Sequence, residues 1–178
     1  MWVNAHALPL FLTALAMVGV TGSGLLAVLI LGRDDDPPPT AGCPVGTWRM
    51  TSYVENLPAL GGKLTLVGDG PVYEFRADGS GRADYGERTL LEGRTLGEAV
   101  ETVVTGELTF RYQVSGGDVL EYVGVNSEAE ATVDFLGTPV TDTYRPSEYP
   151  VRFHCAGDTL AMDNQDEGHL AEFQRIEP

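Results

Sequence analysis

From Val45 onward short runs of this chain carry apolar residues at alternate positions, and a period of two is the signature of strands. Trp48, Met50, Ser52 and Val54 share one face of a first strand, and Leu64 and Leu66 mark a second. Tyr73, Phe75 and Ala77 line one face of a third, which ends at Asp78-Gly79, a pair suited to a tight hairpin. Gly81 to Gly86 reads as a weak returning strand. Between Thr89 and Gly106, the residues Leu90, Leu96, Val100, Val103 and Val104 permit a short helix, which Gly93 and Gly97 weaken. The preferred reading is one long strand from Val100 to Val114, kinked at Gly106. After a turn at Gly116-Gly117-Asp118, Leu120 and Tyr122 oppose Val119, Val123 and Val125. Ala131, Val133 and Phe135 form another strand, and Gly137 to Pro150 reads as a polar loop. Val151-Phe153-Cys155, Thr159 to Met162, and Ala171 with Phe173 complete the pattern. The whole predicts about eight to ten short antiparallel strands, in a sandwich or a barrel.

A different element precedes them. Leu8 to Leu31 is almost wholly apolar, and as a helix it would extend roughly 36 Å, enough to cross a ~30 Å hydrocarbon core. A cleaved leader fits poorly, because no Lys or Arg precedes the run and the run exceeds the ~7–15 residues of such a segment. Gly19, Gly22, Ser23 and Gly24 either form a close helix contact or are simply tolerated in lipid. Next comes RDDDPPPTAG, whose three prolines stiffen a charged spacer. The expected organisation is a membrane anchor over 1–32, a linker over 33–42 and a β domain over 43–178.

Two observations bear on sidedness, and they disagree. Arg33 alone would hold the C-terminal side inside. The chain has 2 cysteines, Cys43 before the first strand and Cys155 on a late one. Such a pair reads as one disulfide closing a long loop, which persists in an oxidising space, or else as two unrelated buried thiols. The disulfide reading places the domain outside the cytoplasm. Thr40-Ala41-Gly42-Cys43 is not expected to be lipidated, because DDDPPPT separates it from the apolar run.

The charge balance narrows the partners. With 11 Lys+Arg against 26 Asp+Glu, a formal charge of −15 disfavours nucleic acid and anionic lipid surfaces. Gly79-Ser80-Gly81 is a turn rather than a nucleophile elbow, and no phosphate loop or C-x-x-C occurs. His6 precedes the anchor, and His154 and His169 read as surface strand residues. The cluster from Asp163 to His169 lacks the alternating ligands of a calcium loop. Glu74 and Glu121 point outward without expected partners. No catalytic residue, cofactor or metal ligand is therefore assigned.

Gly46-Thr47-Trp48, Val72 to Gly79, Gly157-Asp158-Thr159-Leu160 and Phe173-Gln174-Arg175 together resemble the lipocalin-like, or calycin, β-barrels. The resemblance is greatest to the membrane-anchored lipocalin-like domains of actinobacteria. It implies an all-β, antiparallel, up-and-down barrel in which Trp48 closes the floor and Arg175 stacks on it, with Gly46 as the third structural residue. It implies non-catalytic binding of a small apolar ligand by a single-pass, extracytoplasmic domain. The alternatives are a filled barrel serving as a structural or interaction module of the cell envelope, and a calycin-type isomerase or hydrolase.

Overall fold

In the computed structural model the described residues are 42–57, 62–146, 149–166 and 168–177. The expected anchor and nearly all of the linker lie outside them. Among the described residues no helix is long and apolar enough to cross a membrane. These residues form eleven strands, all in one antiparallel sheet, with no α-helix. The strands are β1 (Gly46–Leu57), β2 (Gly62–Val67), β3 (Val72–Phe75), β4 (Ser80–Thr95), β5 (Glu98–Ser115) and β6 (Val119–Ser127). They continue as β7 (Glu130–Phe135), β8 (Thr138–Thr143), β9 (Val151–Ala156), β10 (Thr159–Asn164) and β11 (His169–Glu177).

The count exceeds the expectation by β8, and three strand rows consist of two successive pieces each. β3 and β2 follow one another along both β1 and β4. β6 and β7 follow one another along β5. β8 pairs with β7 while β9 pairs with β6. β9, β10 and β11 then pair in turn, and β11 runs beside β1 from Thr47 to Glu55.

The long β4–β5 hairpin bends where Gly86 lies opposite Gly106, both at positive φ. A Cβ on Gly106 would press on the Glu128 carbonyl, so the bend admits glycine alone at that close approach. The register shifts at Gly86, and Glu128–Ala129 is where β6 gives way to β7. One half of the hairpin therefore serves β3 and β6, the other β2 and β7.

Three sequence expectations are corrected here. Thr89 to Thr95 is strand, the continuation of β4, with Thr89, Leu91 and Thr95 buried in alternation. The expected loop from Gly137 to Pro150 contains β8, whose period is hidden because only Val140 turns away from solvent. Its β-branched run of Thr138, Val140, Thr141 and Thr143 favours extended backbone all the same. Ala77, expected on the third strand, sits exposed in the turn after it.

β8 pairs only with β7 among the described residues, and its outer edge is blunted. The two-residue turn Leu136-Gly137 faces Phe135 to Thr138, so positions 139, 141 and 143 direct their backbone groups outward. Pro139 has no N–H to offer there. The Thr143 N–H is already given to Asp142 Oδ1 at 2.7 Å. An incoming strand would find one open donor in three positions.

The buried face carries the aromatic core. Trp48, Phe75, Leu120 and Leu160 are almost wholly enclosed, and Phe75 packs 5.5 Å from Phe110 and 5.4 Å from Tyr112 between ring centroids.

Candidate functional site

Two constellations occupy this core, one structural and one polar. The first sits where β1 and β11 begin and end. Their register sets Trp48 opposite Arg175, and the guanidinium carbon lies 4.0 Å from the indole centroid. Trp48 is fully buried, and its Nε1–H donates to the Pro44 carbonyl at 2.7 Å. Arg175 Nη1 donates to the Val45 carbonyl at 3.2 Å. Among the described residues the positive group is thus held by a ring face and a backbone oxygen, not by a carboxylate. Gly46 makes this approach possible. Its φ of +140° is left to glycine, and a Cβ there would overlap Arg175 Nη1.

A first prediction arises here. Gly46→Ala is expected to lower stability by about 1–3 kcal/mol through backbone strain and displacement of Arg175. Urea midpoints at matched m-values check it, and a loss under about 0.5 kcal/mol would mean the guanidinium simply swings aside.

Beside this corner lies the disulfide. Cys43 and Cys155 are bonded with Cα atoms 6.0 Å apart, joining the segment before β1 to β9 across 112 residues of sequence.

The second constellation is a chamber of about 50 Å³ reached by side chains of seven strands, β1, β3, β5, β6, β9, β10 and β11. Five tyrosines and a histidine give it its chemistry: Tyr53, Tyr73, Tyr122, Tyr144, Tyr149 and His169. Tyr144 and Tyr149 come from the segment between β8 and β9, which is tied down by the Tyr144 N–H donating to the Ala129 carbonyl at 2.8 Å. Tyr144 also meets Tyr85 edge-on at 5.2 Å. The Tyr73 and Tyr85 hydroxyls lie 3.3 Å apart, and the Tyr53 hydroxyl donates to Glu55 Oε2 at 2.6 Å. The His169 ring stands edge-on between Tyr53 at 5.4 Å and Tyr149 at 5.6 Å. Its Nδ1 is buried and, among the described residues, has no hydrogen-bond partner.

The titration behaviour follows from this enclosure. Burial pushes the Tyr144 phenol up to about 12, with the nearby Glu55 charge acting in the same direction. Tyr53, Tyr73, Tyr85 and Tyr122 are raised as well, in each case chiefly by burial. Burial lowers His169 against the opposing pull of Glu55 and Asp163. The chamber thus favours the neutral form of both kinds of group. A phenol raised in the fold contributes stability that is complete below its unfolded value of 10.0, and Tyr144 loses that contribution as pH rises towards about 12. The second prediction is an unfolding midpoint in urea that falls steeply above pH ~10, with phenolate absorbance appearing together with unfolding. Phenolate absorbance rising at pH ~10 in the folded chain would contradict it.

The remaining sequence candidates lie elsewhere. Glu74 accepts from Arg76 at 2.7 Å and from Arg82 at 3.0 Å, which lowers its carboxyl. Glu121 accepts from Gln113 at 3.1 Å and Ser115 at 2.9 Å. His154 is exposed on β9. His169, read from sequence as a surface residue, is half-buried in the chamber wall. Among the described residues no three His, Cys, Asp or Glu side chains cluster as metal ligands. The sequence pattern placed Tyr73 and Tyr122 on strand faces but did not bring the tyrosines together as a site. The available signal was that all 7 fall after Met50, several of them on the inward phase of strands.

No family model, curated protein or solved structure matches the chain. The reading of function rests on the geometry above.

Proposed function

We propose that residues 43–178 form a closed, up-and-down, lipocalin-like barrel, held outside the cytoplasm by the 1–32 segment, and act there as a non-catalytic module of the cell envelope with a filled interior. The cyclic order of pairing supports closure. Starting at β1, the ladder runs through β3, β4, β5, β6, β9, β10 and β11 and returns to β1. Eight such rows leave an interior that side chains can just fill or that holds one small ligand. The volume carries the choice between these. A chamber of about 50 Å³ is far below the ~300 Å³ at which ligand pockets begin, so an apolar cargo of lipid size has no room. The Cys43–Cys155 bond supports the extracytoplasmic side, since such bonds persist in oxidising compartments.

Two measurements test this reading and form the third prediction. Native mass spectrometry of the full chain, released from detergent, is expected to give the mass of the protein alone. A stoichiometric co-purified lipid would restore the apolar-ligand reading. Alkaline phosphatase fused after Pro178 is expected to be active in an intact bacterial host, and a fluorescent cytoplasmic reporter at that position to stay dark.

A further inference from the structure

Two hairpins end in the same unusual way. The β4–β5 turn is Leu96-Gly97, closed by the pair Thr95 and Glu98, and the β7–β8 turn is Leu136-Gly137, closed by Phe135 and Thr138. Both residues of each turn have positive φ, 51° and 88° in the first, 56° and 76° in the second. Asn-Gly or Asp-Gly suits that backbone, and leucine does not. Leu96 and Leu136 are nonetheless the two non-glycine residues at positive φ among those described. They are also the most exposed large apolar side chains there, at 75% and 69%. We infer that this pair of leucines is a membrane-contact site, seated among the headgroups and upper acyl chains of a bilayer of zwitterionic lipid. The inference uses the anchor of the proposed envelope module and not its filled interior.

The registers put the tips on one rim. Val100 of β5 faces Phe135, so the β7–β8 hairpin follows the β4–β5 hairpin in the sheet, and the two turns stand two strand spacings apart, roughly 10 Å. Each is braced through its glycine. Arg94 Nη1 donates to the Gly97 carbonyl at 3.3 Å, and the Gly137 N–H donates to Asp134 Oδ1 at 2.9 Å. The leucines are thus presented before any contact is made. Local backbone preference and exposure to water both oppose leucine here, and the chain bears both costs twice on one rim. A protein partner fits poorly, because the exposed neighbours Glu98, Ala99 and Thr138 are polar or small and a stable interface takes about 800 Å² from each side. A bilayer accepts two projecting side chains with no matching shape. Exposed Lys63 and Arg94 are balanced nearby by Glu92 and Glu98, so no basic cluster calls for anionic lipid. The rim lies away from the end where the chain enters the sheet: Gly46 is level with Phe75 and Gly81, and Asn56 with Lys63 and Arg94. From Gly46 to Asn56 the strand rises about 33 Å, and spacer residues 33–42 as polyproline II span about 31 Å. The spacer's reach therefore matches the height of the rim above the bilayer that would hold Leu8 to Leu31. Two leucines alone bind lipid weakly, and a tether makes that weak contact persist.

The test uses the full chain in phosphatidylcholine vesicles, part of whose lipid carries a nitroxide on its headgroup. A fluorophore is attached at Ala99→Cys, exposed beside the tips, or at Asp158→Cys, exposed in the β9–β10 turn at the opposite end. Quenching is expected to be at least about twofold greater at position 99 than at position 158. Leu96→Asn combined with Leu136→Asn is expected to abolish that difference. Because asparagine tolerates positive φ, the same variant is expected to raise the urea midpoint measured in detergent micelles. Equal quenching at the two positions, greater quenching at 158, or a difference that survives the asparagine pair would overturn the proposal. So would a lowered midpoint in that variant, which would assign the leucines to the fold. Chains that float with the vesicles while position 99 stays unquenched would sink this inference and leave the anchor intact. Chains that float only while both leucines are present would undo the anchor and leave this inference standing.

Discussion

Trp48→Ala is expected to lower the unfolding free energy by about 3–5 kcal/mol, among the largest effects of any single truncation in this chain. The indole is fully buried, so its removal leaves a cavity as well as losing transfer free energy. It also frees the Pro44 carbonyl from its 2.7 Å hydrogen bond and takes away the face on which Arg175 rests at 4.0 Å. Arg175→Ala, which removes only stacking and stem packing at a partly exposed site, is expected to cost about 1–2 kcal/mol. Urea denaturation of both variants gives the comparison. A Trp48→Ala loss below about 1 kcal/mol would mean that the corner collapses without penalty, and the floor role would be abandoned.

Opening the Cys43–Cys155 bond is the second large effect. With the cysteines 112 positions apart, the loop-entropy model gives roughly 4–5 kcal/mol, an upper figure because unfolded chains retain some order. The expected result is a large drop in urea midpoint on adding reductant, matched by Cys43→Ser with Cys155→Ser. The loss is not expected to add simply to that of Trp48→Ala. Cys43 adjoins Pro44, whose carbonyl holds the indole, so the two changes share a partner and the triple variant should lose less than the sum. Additive losses would show the disulfide and the tryptophan to be independent fastenings.

The start of the first strand was readable from sequence because its burial is local: Trp48 and Met50 alternate, and Gly46 announces the tight approach; the expected continuation of that face to Ser52 and Val54 fails at the register shift after Met50, beyond which Tyr53 lines the chamber. The kinked strand through Gly106 was readable for the same reason, its apolar phase running unbroken on either side of one glycine. β8 was not, since a strand with solvent on nearly its whole length has no hydrophobic period to find. Phase itself fails at the irregularities. Tyr122 and Val125 both line the chamber although three positions separate them, and the ladder beside them is offset at Arg111/Tyr112. No uniform alternation would place that pair on one face. The chamber was illegible for a further reason. Its polar groups arrive from distant strands and from the segment before β9, and His169 is packed between Tyr53 and Tyr149. The turn composition around His169 reads as surface, and locally it is.

The blunted rim of β8 bears on what happens when many copies crowd together. Sheets with open rims grow by templating when copies collide. Proline at 139 and the self-satisfied amide at 143 deny such growth its starting register. Of all the features of this fold, that one concerns the population and not the single molecule: it opposes strand addition from one copy to the next.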